Sequence, residues 1–270
     1  MYKLIVSDLD ETLIDSHGNV SQENLTAIKK AQDLGIKFVP ATGRSFNDFQ
    51  HILKLTNVHD LENQYSISYN GGVITENKRN RLITTTALPF ELVQHIFDLG
   101  VKHDVLIHLF TLKDIHTLNM NSDEHDYLDG HIVLTLLDKP DISHLADSPI
   151  LKINFQHLNL AFLKEIEMSL SPQISESLDI NYSSNRYLEF NPHGVNKGNA
   201  LRQLMRILDV SPEEVLAIGD NMNDRTMIQL AGLGVAVANA VPELKEKANY
   251  QCQNDHNHHA VAEAIERFIL

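Results

Sequence analysis

Asp8 and Asp10 stand one residue apart in Asp8-Leu9-Asp10-Glu11-Thr12, one serine after the apolar run Leu4-Ile5-Val6. Two carboxylates so placed suit different tasks. One can attack a phosphorus atom, and the other can protonate a leaving oxygen. Clustered carboxylates repel, and a hard divalent cation such as Mg²⁺ relieves this with two or three protein oxygens as ligands. Asp220, in Gly219-Asp220-Asn221-Met222-Asn223-Asp224, supplies a third carboxylate. Thr42 offers a hydroxyl, and Gly43 lets a backbone N–H approach an anion closely. Lys197 begins a helical pattern, where its ammonium and the helix dipole both favour an anion. Asn223 can donate an amide hydrogen bond, and Asp224 can anchor Lys197 or the metal's waters. Each segment alone has a plainer reading, as a turn, a helix cap or a surface charge. Their shared placement, each at a strand end or a helix start, points to a phosphate-transfer site.

The elements that must position these groups follow a recognisable grammar. Lys3 to Ser7 reads as a buried strand ending on Asp8. Ser21 caps a helix that stops at Gly35, and Ile36 to Ala41 is a second strand running into Thr42-Gly43-Arg44. Strand, helix, strand with short links makes a βαβ unit and hence a parallel sheet. The pattern returns late in the chain, with a helix through Leu201–Leu208 and a capping box with Pro at Ser211-Pro212-Glu213-Glu214. Strands follow at Val215–Ile218 and Gly234–Ala238, then a closing helix at Val261–Phe268. Between about Thr86 and Glu189 the order is mixed. Helices are expected around Leu92–Phe97 and over Leu160–Leu170. Strands are expected at Val105–Phe110, Ile132–Leu136, Ile150–Phe155, Asp179–Tyr182 and Tyr187–Phe190. The expected fold is α/β: a Rossmann-like parallel sheet core with helices on both faces, plus an inserted α+β cap domain. Residues 1–85 and 190–270 would form the core, and 86–189 the cap. In an open α/β sheet, ligands bind outside the carboxyl ends of the strands, where Asp8, Thr42 and Asp220 are placed.

Bulk properties narrow the partners. A formal net charge of -14 argues against a nucleic-acid backbone or an anionic membrane. It also means that a phosphate site must be made locally positive by a cation and a few placed Lys or Arg residues. The single cysteine excludes an internal disulfide and fits a reducing compartment. The short apolar run at the start is no signal peptide, so a cytoplasmic protein is expected, as monomer or homodimer. The histidines of His256-Asn257-His258-His259 read as a polar loop rather than a metal site.

The four segments in this order resemble the haloacid dehalogenase-like hydrolases, specifically the Cof-type phosphatases with a type-two cap. The motifs are Asp8-Leu9-Asp10-Glu11-Thr12, Ala41-Thr42-Gly43-Arg44, Lys197-Gly198-Asn199-Ala200-Leu201 and Gly219-Asp220-Asn221-Met222-Asn223-Asp224. Asn70-Gly71-Gly72 matches the family's Asn-Gly segment before the cap. The resemblance implies Asp8 as nucleophile and Asp10 as general acid/base. It implies Mg²⁺ held by the Asp8 carboxylate, the Asp10 carbonyl and the Asp220 side chain. It implies phosphate held by the Leu9 backbone, Thr42, Gly43, Lys197 and Asn223, with a cap that closes over the substrate and sets specificity. The implied activity is hydrolysis of small phosphate esters, such as sugar phosphates or a flavin-pathway phosphate, through an aspartyl-phosphate.

Arg225, Ala238 and His258-His259-Ala260-Val261 depart from the family pattern. Ala238 stands where Gly is usual, which matters only if the backbone there needs a positive φ. The last segment replaces a common Asp-Gly-Val. Two other readings compete. A phosphomutase on the same scaffold would need a small helical cap between the first two motifs, and the short gap holds none. A non-catalytic regulator that binds phosphorylated metabolites sits poorly with the complete set Asp8, Asp10, Lys197 and Asp220.

Overall fold

Leu4–Ser7 is buried at all of its positions, so both faces of this strand must be covered, as in a parallel sheet under helices. The computed structural model describes residues 1–128 and 133–270. Its first sheet is wholly parallel, in the order Tyr250–Gln251, Leu233–Ala236, Val215–Gly219, Leu4–Ser7, Lys37–Pro40. From Leu4–Ser7 the chain crosses to Lys37–Pro40 on one side. From Val215–Gly219 it crosses to Leu233–Ala236 on the other. These two strands are neighbours, with Ser7 opposite Ile218. Their crossovers diverge, so a crevice opens at their carboxyl ends.

Helix Gln22–Asp33 starts at Ser21, whose hydroxyl accepts from the Asn24 N–H at 3.2 Å. It packs against Ala260–Phe268, while Lys197–Leu208 packs against Arg225–Leu230. The second pair approaches closely because Gly198 has no side chain: a Cβ there would meet the Thr226 carbonyl oxygen at 2.5 Å. The Ser211 capping box is formed, but it opens a single tight turn, Pro212–Glu214. Ala238 needs no left-handed backbone. The positive φ falls instead on His259, at 67°, just before the final helix.

A three-stranded antiparallel sheet, Tyr65–Ser68, Val73–Glu76 and Arg81–Thr85, has no counterpart in the sequence reading. Its strands are short, and its turns use Asn70, Arg79 and Asn80 in left-handed conformations, a weak signature in sequence. It adjoins the parallel sheet through a bridge between Ala41 and Ile67.

The chain divides into two units, Met1–Thr85 with Asn196–Leu270, and Thr86–Val195. The return to the first unit comes after Val195, beyond the expected boundary at 189. Tyr187–Pro192 continues as a strand paired with Leu178–Ser183 and Ile150–Gln156.

The second unit holds a six-stranded sheet in the order Leu178–Ser183, Tyr187–Pro192, Ile150–Gln156, Leu106–Thr111, Ile115–Leu118, Leu134–Leu136. Its inner face, including Ile107, Ile153, Phe155 and Phe190, packs with helices Phe90–Lys102 and Leu160–Met168. Strand Ile115–Leu118 and helix Ser122–Leu128 were not expected; of the strand expected at Ile132–Leu136, Ile132 lies outside the described residues. Glu124 on that helix is fully buried and accepts from His108 Nε2 at 3.0 Å, the Tyr187 hydroxyl at 2.6 Å and Arg186 Nη1 at 3.2 Å. A buried carboxylate this well satisfied pins the helix to the sheet. Among the described residues, no helix is long and apolar enough to cross a membrane.

Candidate active site

Asp8 follows its strand directly, with its N–H donating to the Ile218 carbonyl at 2.9 Å. Asp220 follows the neighbouring strand, so the sheet register itself sets the two carboxylates side by side. Lys197, at the first position of its helix, is fully buried. Its ammonium donates both to Asp8 Oδ1 and to Asp224 Oδ1, the latter at 2.6 Å. Asp224 is also fully buried, and its Oδ2 accepts from the N–H groups of Asp220 at 3.0 Å and Asn221 at 3.2 Å. Gly219 is required beside it, because a Cβ there would overlap the Asp224 carboxyl group. Thr12 donates its hydroxyl to Asp220 Oδ1 at 3.1 Å.

One ligand oxygen from each of Asp8, Asp220 and Asp224 can be chosen within 4.8 Å of one another. Among the described residues this is the one group that could hold a metal ion, and the histidines near 256 are not part of one. His256 Nε2 is bonded to Ser16 Oγ at 2.9 Å, and His258 Nδ1 to Asp255 Oδ1 at 2.7 Å.

The electrostatics favour a cation. Burial pushes the Asp8 carboxyl well above the usual carboxylate range, and the negative charges of Asp224 and Asp220 add to this against the opposing pull of Lys197. Burial, then the Asp224 charge, pushes Asp220 up to about 7. Lys197 behaves oppositely: burial lowers its pKa, but Asp224 and Asp8 outweigh this and hold the ammonium charged. A hard divalent ion would relieve the crowding of Asp8 and Asp220, so the residues present fit one. Asp224 has both oxygens already engaged, which suits it to orient Lys197 and the loop rather than to bind the ion.

Thr42 is fully buried, and its hydroxyl oxygen accepts from the Arg44 N–H at 3.1 Å, which leaves the hydroxyl hydrogen to donate. Among the described residues, neither the Leu9 nor the Gly43 N–H donates to a protein acceptor. Asn223 reaches across to Asn70, its Nδ2 donating to Asn70 Oδ1 at 3.3 Å. Asp10 stands apart from the buried carboxylates. Arg44 forks its carboxylate, through Nε at 3.0 Å and through Nη2. Arg44 and Asn70 lie within segments that the sequence singles out, yet nothing in their spacing shows that their side chains meet Asp10 and Asn223. The same is true of Thr12 on Asp220.

Residues 5–265 match a family model described as haloacid dehalogenase-like hydrolase, and the chain belongs to that family. Within the family it is a Cof-type enzyme of the phosphatase kind. It is 33% identical over 271 residues to "Putative phosphatase YxeH" of Bacillus subtilis strain 168, covering 100% of this chain and 99% of that one. An "HMP-PP phosphatase" of Yersinia pseudotuberculosis is 30% identical, over 92% of this chain and 88% of its own. Among solved structures, a haloacid dehalogenase-like hydrolase from Bacteroides thetaiotaomicron superposes over 100% of both chains with a TM-score of 0.86 at 28% identity.

Proposed function

We propose that this chain is a Mg²⁺-dependent phosphomonoester hydrolase of small phosphorylated metabolites, working through an aspartyl-phosphate on Asp8. The observation that carries the reading is the Asp8 carboxylate at its strand end, gripped by the fully buried Lys197 ammonium beside Asp220. An Asp8 oxygen attacks phosphorus as the bond from phosphorus to the ester oxygen breaks, and Asp10 gives that oxygen its proton. Asp10 then takes a proton from water, whose oxygen attacks phosphorus. The bond from Asp8 to phosphorus breaks, and inorganic phosphate leaves. Thr42, Lys197, Asn223 and the N–H groups of Leu9 and Gly43 bind the phosphoryl oxygens. The Asp8 and Asp220 carboxylates and the Asp10 carbonyl would hold Mg²⁺, which supplies neutralisation of the charge on the transferring group. The names of the relatives, both phosphatases, support a small phosphorylated compound as the substrate. A panel of such metabolites, assayed with Mg²⁺ and with excess chelator, tests the reading. Turnover that survives the chelator in full would sink it.

The fork of Arg44 on Asp10 holds the acid/base carboxylate in one orientation. Arg44→Ala is expected to lower kcat by about 10- to 100-fold on a sugar phosphate, at or below the low end of the roughly 10²- to 10⁴-fold that a positioned acid contributes, because Asp10 itself remains. The loss on p-nitrophenyl phosphate should be only a few-fold, because that leaving group departs with little need of a proton. Equal losses on both esters would show that Arg44 serves the phosphate and not Asp10.

A further inference from the structure

Tyr69, Asn70 and Gly71 lie consecutively in the left-handed region, at φ 51°, 53° and 102°. A bulky residue such as Tyr69 is held there only when its surroundings impose it, whereas Asn adopts this region more readily than most. The surroundings are on both sides of the turn. The Asn70 N–H donates to the Thr42 carbonyl at 3.0 Å, and the Tyr69 N–H to the Arg44 carbonyl at 3.0 Å. On the other side, a Cβ at Gly71 would sit on the carbonyl of Asn196, the residue before Lys197. The turn is therefore wedged between the segment carrying Thr42 and Gly43 and the start of the Lys197 helix.

The Asn70 side chain lies against two proposed phosphate ligands at once. A Cβ on Gly43 would meet its Oδ1 at 3.2 Å and its Nδ2 at 3.3 Å. Its Oδ1 accepts from Asn223 Nδ2 at 3.3 Å, across 153 positions of sequence. An amide such as Asn223 has two orientations, and a fixed acceptor on one side selects between them. Glycine would suit the left-handed backbone at position 70 better, so the carboxamide is what Asn70 adds.

We propose that Asn70 is a positioning residue of the phosphate site, setting the Asn223 amide so that it meets a phosphoryl oxygen. The inference rests on the phosphate-site reading above. Asn70→Gly tests it cleanly, because the substitution eases the backbone while deleting the carboxamide; thermal melting will verify that the fold is kept. The inhibition constant for inorganic phosphate is expected to rise about tenfold, the worth of one hydrogen bond to a charged group. KM should rise in step, with kcat changed less. In an Asn223→Ala background the same substitution should add little, since the two residues act as one unit. Unchanged phosphate inhibition in Asn70→Gly, or losses that multiply in the double variant, would overturn the inference. Asp8→Asn, assayed in parallel, keeps the two readings apart. If it abolishes turnover while Asn70→Gly inhibits like wild type, only the role of Asn70 falls.

Discussion

Asp8→Asn is expected to lower kcat by at least about 10⁴-fold on any phosphate ester, since an amide oxygen cannot form the aspartyl-phosphate. At 1.36 kcal/mol per tenfold, this is roughly 5 kcal/mol of transition-state stabilisation. The fold should tolerate the change. Asn is isosteric with Asp, and it removes one of the three carboxylates crowded within 4.8 Å. Lys197 retains its bond to Asp224 at 2.6 Å. The pairing of a large loss in kcat with a melting temperature close to wild type is the diagnostic result. Rapid-quench trapping of a phosphorylated enzyme in the wild type, absent in Asp8→Asn, checks the chemistry directly. Turnover within tenfold of wild type would remove Asp8 from the nucleophile role.

Lys197→Met should damage both activity and stability, because Lys197 is buried and holds two buried carboxylates. Removing one partner of a buried ion pair leaves uncompensated charge, at a typical cost of about 3–5 kcal/mol. Urea denaturation will read this as a lower midpoint at an unchanged slope. The deficit has a predicted pH dependence. Asp8 is already held well above the usual carboxylate range by burial, and loss of the opposing ammonium moves it further up. A carboxyl whose folded pKa exceeds its unfolded value binds protons more tightly when folded. It therefore costs stability at high pH and regains it as pH falls through the folded pKa. The gap between Lys197→Met and wild type should narrow on acidification. A gap independent of pH would mean that lost packing, not unpaired charge, carries the cost.

The burial of Lys197 shows where the reach of the sequence ends. Read locally, a lysine opening a helix is a surface charge. Its burial depends on Asp8, which is 189 positions away, and on Asp224, which is 27 away. The placement of Asp8 and Asp220, by contrast, follows from short apolar runs that end in carboxylates, a pattern set by neighbours in sequence. Their adjacency then follows from the register of two parallel strands. The departures divide in the same way. A Gly-to-Ala change at 238 has no backbone consequence, while the left-handed residue is His259. A φ value is a property of the folded turn, and residue type alone does not reveal it.

The parallel-sheet class was therefore legible from the start, as were the strand ends that carry Asp8 and Asp220, whereas the carboxylates that crowd together are Asp8, Asp220 and Asp224, with Asp10 apart. Period, caps and turn residues are short-range properties, and they survive in a one-dimensional reading. Three contacts came only from the tertiary structure: Arg44 on Asp10, Asn70 on Asn223, and Thr12 on Asp220. So did the continuation of Tyr187–Pro192 past the expected boundary. Each depends on distances through space that strand order and register create, and those distances leave no period in the chain.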